Sequence, residues 1–437
     1  MRLPQLTSRL RASLLISCRS YNNFSKQPSE TAVFSFGDGS NGALGLPFSF
    51  GGDAYEPTLV PGLPPDISSV GAGHYHSLAV TSEGEVWAWG RNEEGQLGRG
   101  VKAPRDSWNK PTRVEGLDGV RVRATFASAV ASMAIDDNGS LWVWGKSKRG
   151  QLGLGKGITE AWRPTKVEAL AGEKIVKVSL GWGHALAQTA DGKLFGWGYA
   201  AMGRLGNVGK ALEDSDLANT ISSPSPKKSC SIQQDAENLV LHQIEREKHM
   251  PLIWNPCLVQ ELHGHEVIDV ACGLDHSIVL RGDKVLLSGG DNTYGQLGRT
   301  TEGSDLLPVD TDLPAACMAT GLGHCLAICQ VAEEAMQVFS WGWNCSSQLG
   351  REGPESRPQL VDGFAGETPV SVSCGRVHSL VLTSKGEIWT WGSGKNGRLG
   401  LGSSSDEAEP TLVESLAGLE ILQVASGYDH TLVLVAK

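Results

Sequence analysis

The sequence predicts an all-β protein: a closed seven-bladed β-propeller in which strands from the two chain ends share one blade. Three observations predict it. A strand-and-turn motif returns seven times, a second motif keeps fixed phase with it, and the two ends of the chain carry complementary halves of one unit.

The first motif is an apolar strand, a glycine, four variable residues and then G-x-L-G. Its copies are FSFGDGSNGALG, WAWGRNEEGQLG, WVWGKSKRGQLG, FGWGYAAMGRLG, LSGGDNTYGQLG, FSWGWNCSSQLG and WTWGSGKNGRLG. Their first glycines are Gly37, Gly90, Gly145, Gly198, Gly290, Gly342 and Gly392, separated by 53, 55, 53, 92, 52 and 50 residues. The second motif, G-x-x-H before small and apolar residues, places His76, His184, His276, His324, His378 and His430, with Ala131 at the histidine position of the second unit. The next first glycine follows 14 residues later, except after His324, where the gap of 18 predicts a longer hairpin near Glu333 and Glu334. A third mark, proline with valine three residues on, recurs at Pro57, Pro111, Pro164, Pro256, Pro358 and Pro410.

Within a unit, Glu83-Gly84, Asn138-Gly139, Asp191-Gly192 and Lys385-Gly386 separate two apolar runs. Glycine there permits the positive φ of a tight hairpin, so the runs pair as antiparallel strands. About 50 residues per unit leave room for four short strands, which make one blade. The last unit, GYDHTLVLV, lacks its W-G partner strand, and the body opens on AVFSFG, a W-G-type strand with no G-x-x-H unit before it. A circle explains that offset; an open solenoid does not. Closing it also removes exposed sheet edges.

Residues 1–29 read as an organelle transit peptide and leader, and 30–437 as the propeller. The leader holds Arg2, Arg9, Arg11, Arg19 and Lys26 and no acid, with Leu3, Leu6, Leu10 and Leu14 at helical spacing. It predicts import into the mitochondrial matrix. The long step contains an extra segment at about 207–249, including SPSPKKSCSIQQDAEN, read as a flexible insert with a short helix after Asp235. No run is apolar enough, over roughly 18 residues, to predict a membrane-spanning helix.

Net charge is −10, and without the leader 33 basic residues face 48 acidic ones. That balance argues against direct nucleic-acid binding. Nine cysteines without a CxxC pair fit reduced thiols rather than a disulfide framework. His324, Cys325 and Cys329 lie close together but lack a second ligand pair, so no metal site is expected there. One histidine per blade circles the axis instead of converging. These imidazoles are expected to tie strands to neighbouring backbone by hydrogen bonds. Gly90, Gly145, Gly198, Gly342 and Gly392 are likewise structural. The W-G tryptophans are expected between blades. Five tryptophans outside that mark, Trp108, Trp162, Trp182, Trp254 and Trp343, are the candidate partner-binding residues, because aromatic anchors dominate binding hot spots. With no P-loop, catalytic carboxylate pair or nucleophile elbow, the sequence predicts neither enzyme nor cofactor site.

The W-x-W-G-x-x-x-x-G-x-L-G and G-x-x-H-S-L marks resemble the repeat of the regulator of chromosome condensation family, from Val33 to Leu434. The family fold is a seven-bladed propeller. Its members include a nucleotide exchange factor for a nuclear small GTPase, a plant UV-B photoreceptor and mitochondrial proteins. The photoreceptor mark is Gly-Trp-Arg-His-Thr; here GWGHA, with Gly183 and Ala185, departs from it, so photoreception is not expected. With its Arg-rich leader the chain looks most like the plant mitochondrial member of the regulator/photoreceptor/exchange-factor-like group. That resemblance implies a scaffold for organelle RNA processing, in particular intron splicing of respiratory complex I transcripts. Its implied partners are proteins of a ribonucleoprotein or splicing complex. The alternative it implies is guanine nucleotide exchange on a small GTPase.

Overall fold

A computed structural model describes residues 30–47, 52–100, 104–209, 251–333 and 335–437. The leader and most of the insert lie outside the described residues. The rest forms seven four-stranded antiparallel sheets. Blades 1 to 6 occupy residues 67–113, 122–166, 175–258, 267–308, 315–361 and 369–412, and blade 7 joins 421–436 to 31–59. The innermost strands, from Ile67–Ala72 of blade 1 to Ile421–Ser426 of blade 7, touch one another in an unbroken ring.

Closure occurs where the sequence placed it. Strand Thr31–Gly37 pairs with His430–Ala436 along its whole length, from Thr31 opposite Ala436 to Gly37 opposite His430. All seven pairings of an innermost strand with its neighbour shift register near the start of the inner strand, as between Ile67 and Ser69. Such bulges add local twist, which suits strands wrapped round an axis.

The two motifs lock successive blades together. Trp89, Trp144, Trp197, Trp341 and Trp391 are fully buried. Each donates its indole N–H to the carbonyl of the variable residue in the preceding blade's G-x-L-G turn: Ala43 (2.8 Å), Gln96 (2.8 Å), Gln151 (2.8 Å), Gln296 (3.1 Å) and Gln348 (3.0 Å). The first tryptophan of each pair (Trp87, Trp142, Trp389), two positions earlier on the same strand, is only half-buried.

The histidines differ from expectation in their partner. Each Nε2 reaches a side chain of the next blade, and His184 and His324 also interact with the backbone of His276 and His378. His76 Nε2 meets Ser132 Oγ at 2.7 Å, His184 meets Ser277 at 2.8 Å and His276 meets Cys325 Sγ at 3.2 Å. His324 meets Ser379 at 3.0 Å, His378 meets Thr431 at 3.3 Å and His430 meets Ser77 at 2.9 Å. Ser77, Ser132 and Ser379 donate onward to the same G-x-L-G carbonyls that accept the indoles. A hydroxyl that donates its one proton must accept from the imidazole, so Nε2 carries the hydrogen in these three links. The seam between blades 2 and 3 has lost both partners, Ala131 standing for histidine and Ala185 for the hydroxyl residue. Gln151 takes the place, donating to the carbonyls of Gly181 (2.7 Å) and His184 (3.2 Å).

The repeat glycines are explained by one contact. Gly90 sits opposite His76 with φ of 105°, and a Cβ there would lie 2.5 Å from the His76 Cα. Gly145, Gly198, Gly342 and Gly392 repeat the arrangement, Gly145 against Ala131. In blade 5 the extra residues after His324 lengthen both strands, His324–Gln330 and Met336–Gly342, rather than the turn alone. Cys257, Cys272, Cys325, Cys329, Cys345 and Cys374 are free thiols, whereas Cys317 is disulfide-bonded, against the expectation of reduced thiols.

Candidate macromolecule-binding face

Each G-x-x-H turn links an innermost strand to the next strand out, so all these turns ring the axis on one face. The two variable residues of each turn are carried there by the repeat itself. Neighbouring turns are stitched by backbone bonds: His74 N–H to Ser128 O (3.1 Å), Trp182 to Leu274 (3.1 Å), Leu274 to Leu322 (3.1 Å), Arg376 to Tyr428 (2.9 Å) and Tyr428 to Gly73 (3.2 Å). The G-x-L-G turns follow the W-G strands on the same side.

Aromatic rings and arginines gather at this mouth. The His74 ring stacks on Tyr428 at 4.6 Å and lies 5.9 Å from Trp182, across the small turn residues of blade 2. Tyr75 meets Tyr428 edge-on at 5.8 Å. Arg376 covers Tyr428 at 4.9 Å, Arg91 covers Tyr75 at 5.3 Å and Arg149 covers Trp182 at 5.2 Å. Cations over ring faces hold both partners in place while leaving polar edges outward. Burial, with His430 nearby, pulls the His74 imidazole down to about 4, so it stays neutral at physiological pH.

Two deep ion pairs anchor the turns. Arg398, 1% exposed, reaches Asp429 at 2.8 Å, and Arg376 meets the same carboxylate at 2.9 Å. Burial pushes the Asp429 carboxyl up, and Arg398 and Arg376 offset part of that push. Arg204, 2% exposed, reaches Asp275 at 2.5 Å. Both pairs join a G-R-L-G turn to the G-x-D-H turn of the next blade, and those two sequence variants occur together at these two seams. Between blades 6, 7 and 1 lies a cavity of about 320 Å³ lined by Asp38, Asn41, Tyr75, Arg376, Tyr428 and Asp429, among others. Burial raises the Asp38 carboxyl, but hydrogen bonds from Ser40 and Asn396 outweigh it and hold the group below its ordinary value.

The structure does not gather the five candidate tryptophans. Trp182 belongs to the axial cluster. Trp343 leans on exposed Tyr294 at 5.5 Å, in the neighbouring blade's loop on the same face. Trp162 and Trp254 are half-buried on the outer strands of blades 2 and 3. Trp108 is buried, only 5% exposed, with Arg105 over its ring, so it is corrected from partner anchor to packing residue. His74, Tyr75, Arg376, Tyr428 and Asp429 were missed as site residues. Their signal was positional: they fill the variable places between the glycine and the histidine.

Among the described residues no group of three or more His, Cys, Asp or Glu is placed to hold a metal ion, and no helix is long and apolar enough to cross a membrane. The six repeat histidines are each engaged in a different seam.

Comparison with known proteins matches residues 32–433 to the RCC1-like domain. The chain is 31% identical over 443 residues to the protein pim1 of Schizosaccharomyces pombe, covering 93% of this chain and 74% of that protein. It is 29% identical to the ultraviolet-B receptor UVR8 of Arabidopsis thaliana, covering 88% and 78%. It is 30% identical to the mouse E3 ubiquitin-protein ligase HERC2, but spans only 7% of that protein's length. Among solved structures, Saccharomyces cerevisiae Prp20p superposes with a TM-score of 0.72 at 23% identity, covering 100% of this chain and 96% of that one. Human WBSCR16 superposes at 0.71 with 22% identity, covering 93% and 99%. These two structural likenesses show the fold.

Proposed function

Because the chain belongs to the RCC1-like domain family, we propose that it works by binding other macromolecules through its axial face, as an imported mitochondrial scaffold that supports organelle RNA processing. The observation that carries the binding role is the aromatic and arginine cluster of His74, Tyr75, Trp182, Arg376 and Tyr428. Tyrosine, tryptophan and arginine are the residues that dominate interface energetics, and here they are pre-positioned on a rigid ring. The organelle and the task rest on the acid-free leader and on the family resemblance, with intron splicing of complex I transcripts as the specific process. Affinity capture from mitochondria tests the reading: wild-type protein recovers splicing or ribonucleoprotein factors, and Tyr428→Ala with Arg376→Ala loses them. Recovery unchanged by those substitutions contradicts it.

A second reading has a specific observation behind it. The superposable Prp20p is described by its binding to Gsp1p and histones. Guanine nucleotide exchange requires a face that holds the nucleotide-free GTPase, and the same axial face supplies one candidate surface. Release of a fluorescent guanine nucleotide from organelle small GTPases decides it, acceleration favouring exchange and unchanged rates removing it.

A further inference from the structure

The negative charge of the body is not evenly spread. Residues 91–177 carry sixteen Lys and Arg against ten Asp and Glu, whereas the rest of 30–437 carries 17 against 38. Residues 30–90 contain no Lys or Arg. The basic stretch forms the outer part of blade 1, all of blade 2 and the start of blade 3, so it is one sector of the ring. Several of its acids are engaged locally, Glu93 and Glu94 with Arg91, Glu160 with Lys146 and Glu115 with Arg163.

At the seam of blades 1 and 2 and the seam of blades 2 and 3, two indoles occupy equivalent seats, Trp162 inside the basic stretch and Trp254 on the outer strand of blade 3 beside it. At six of the seven seams the first position of the G-x-L-G turn is a glycine that packs on a residue at the outer edge of the following blade. Gly95 lies against the Trp162 ring and Gly150 against Trp254. The same seat is filled by Asn109 over Gly42, Ser304 over Gly203, Ser356 over Gly295 and Tyr55 over Gly397. Packing is therefore satisfied by Asn, Ser or Tyr, and nothing in the fold demands an indole. Tryptophan appears in the seat only at the two seams of the basic sector. Cations flank both. Gly100 N–H bonds Trp162 O, with the Arg163 side chain beside Gly100, and Arg99 reaches the Lys110 carbonyl at 3.2 Å. Gly155 N–H bonds Trp254 O, in a loop bounded by exposed Lys148 and Lys156.

We propose that this rim of blades 1 to 3 is a binding surface for single-stranded nucleic acid, with bases stacking on Trp162 and Trp254 and phosphates lying along Arg99, Lys110, Lys148 and Arg163. Half-exposed indoles alternating with cations suit an unpaired strand, because every base offers a stacking face and every nucleotide a phosphate. A duplex keeps its bases stacked inside and meets only the cations. The surface lies on the outer strands, apart from the axial cluster, and does not rest on the reading given to that cluster.

Anisotropy of a labelled single-stranded RNA of mixed sequence, titrated with the purified body, tests the proposal. Binding is expected at low salt, and Trp162→Ala and Trp254→Ala each weaken it by roughly 5- to 100-fold. Trp162→Phe keeps most of the affinity, which separates stacking from a folding defect. Lys148→Gln with Arg163→Gln lowers the slope of log affinity against log salt by about 0.7 per cation. Tyr428→Ala leaves RNA binding unchanged. The proposal is overturned by no binding at low salt, by affinity indifferent to both tryptophans, or by duplex RNA binding as tightly as single strands. It is equally overturned if polyglutamate displaces the RNA as well as unlabelled RNA does, which would mark a surface for acidic protein.

Discussion

The His430 imidazole Nε2 lies 2.9 Å from the Ser77 hydroxyl, joining two residues 353 positions apart across the seam between the last blade and the first. The hydroxyl passes its own proton to the Ala43 carbonyl at 2.8 Å, so three segments, one from near each chain end and one from blade 1, meet in one buried line. Ser77→Ala strands the imidazole N–H. A buried donor left without a partner costs about 1–3 kcal/mol, and chemical denaturation of the variant should show a loss of that size. A change below about 0.5 kcal/mol would mean that the link contributes little to the seam.

The incomplete seam offers the converse test. Ala131→His alone places an imidazole in the seam where Gln151 now bonds, facing Ala185 instead of a hydroxyl, and lowers stability. Adding Ala185→Ser supplies the hydroxyl that the other seams have. A double-mutant cycle should therefore give favourable coupling of about 0.5–3 kcal/mol. Zero or unfavourable coupling contradicts the reading of these two alanines as a jointly lost pair.

Acid should unfold the ring in a defined window. Burial holds His76 and His324 down to about 3 and His276 and His430 to about 4, and His184 and His378 well below the ordinary value. Unfolded imidazoles titrate near 6.5. Because the folded values are depressed, the unfolded chain binds more protons below that point. Stability is complete above pH ~6.5 and falls as pH drops toward 4, by up to ~1.4 kcal/mol per pH unit for each histidine. Thermal melts followed by circular dichroism from pH 8 to 4 should be flat and then fall steeply. A midpoint unchanged between pH 6.5 and 4.5 contradicts buried neutral histidines.

The axial face has its own structural test. Asp429→Asn leaves Arg398, 1% exposed, without its carboxylate. Removing one partner of a buried ion pair costs about 3–5 kcal/mol, and Arg376 loses its anchor as well. Calorimetry should show marked destabilisation, whereas Arg376→Ala, at the more exposed end of the pair, should cost under about 1 kcal/mol. Equal losses for the two variants would contradict the division between buried anchor and exposed contact.

Much of this was legible in the residues. The phase of the W-G and G-x-x-H marks placed every blade and the shared one, because a repeat that must bury its faces on its neighbours repeats its spacing too. The histidine links were half legible. Their spacing put one in each blade, but the partner is the residue after the next blade's histidine position, and for His430 that residue exists only once the ring is closed. The axial cluster was not legible, because His74, Trp182 and Tyr428 come from three separate units and meet only through the size of the small turn residues between them. Trp108 and Trp162 looked alike in sequence. One is buried with Arg105 over its ring and the other lays a half-exposed ring on a glycine of the preceding blade, a distinction that depends on packing rather than on pattern.

The axial cavity takes Asp38 and Asn41 from one end of the chain and Tyr428 and Asp429 from the other, so the binding face stands or falls with closure of the ring. Amide hydrogen exchange over Thr31–Gly37 tests closure most directly. Full pairing with His430–Ala436 predicts protection equal to that of the matching strand Val86–Gly90 in blade 1. Rapid exchange across Thr31–Gly37, at the rate of an unpaired segment, would contradict the account.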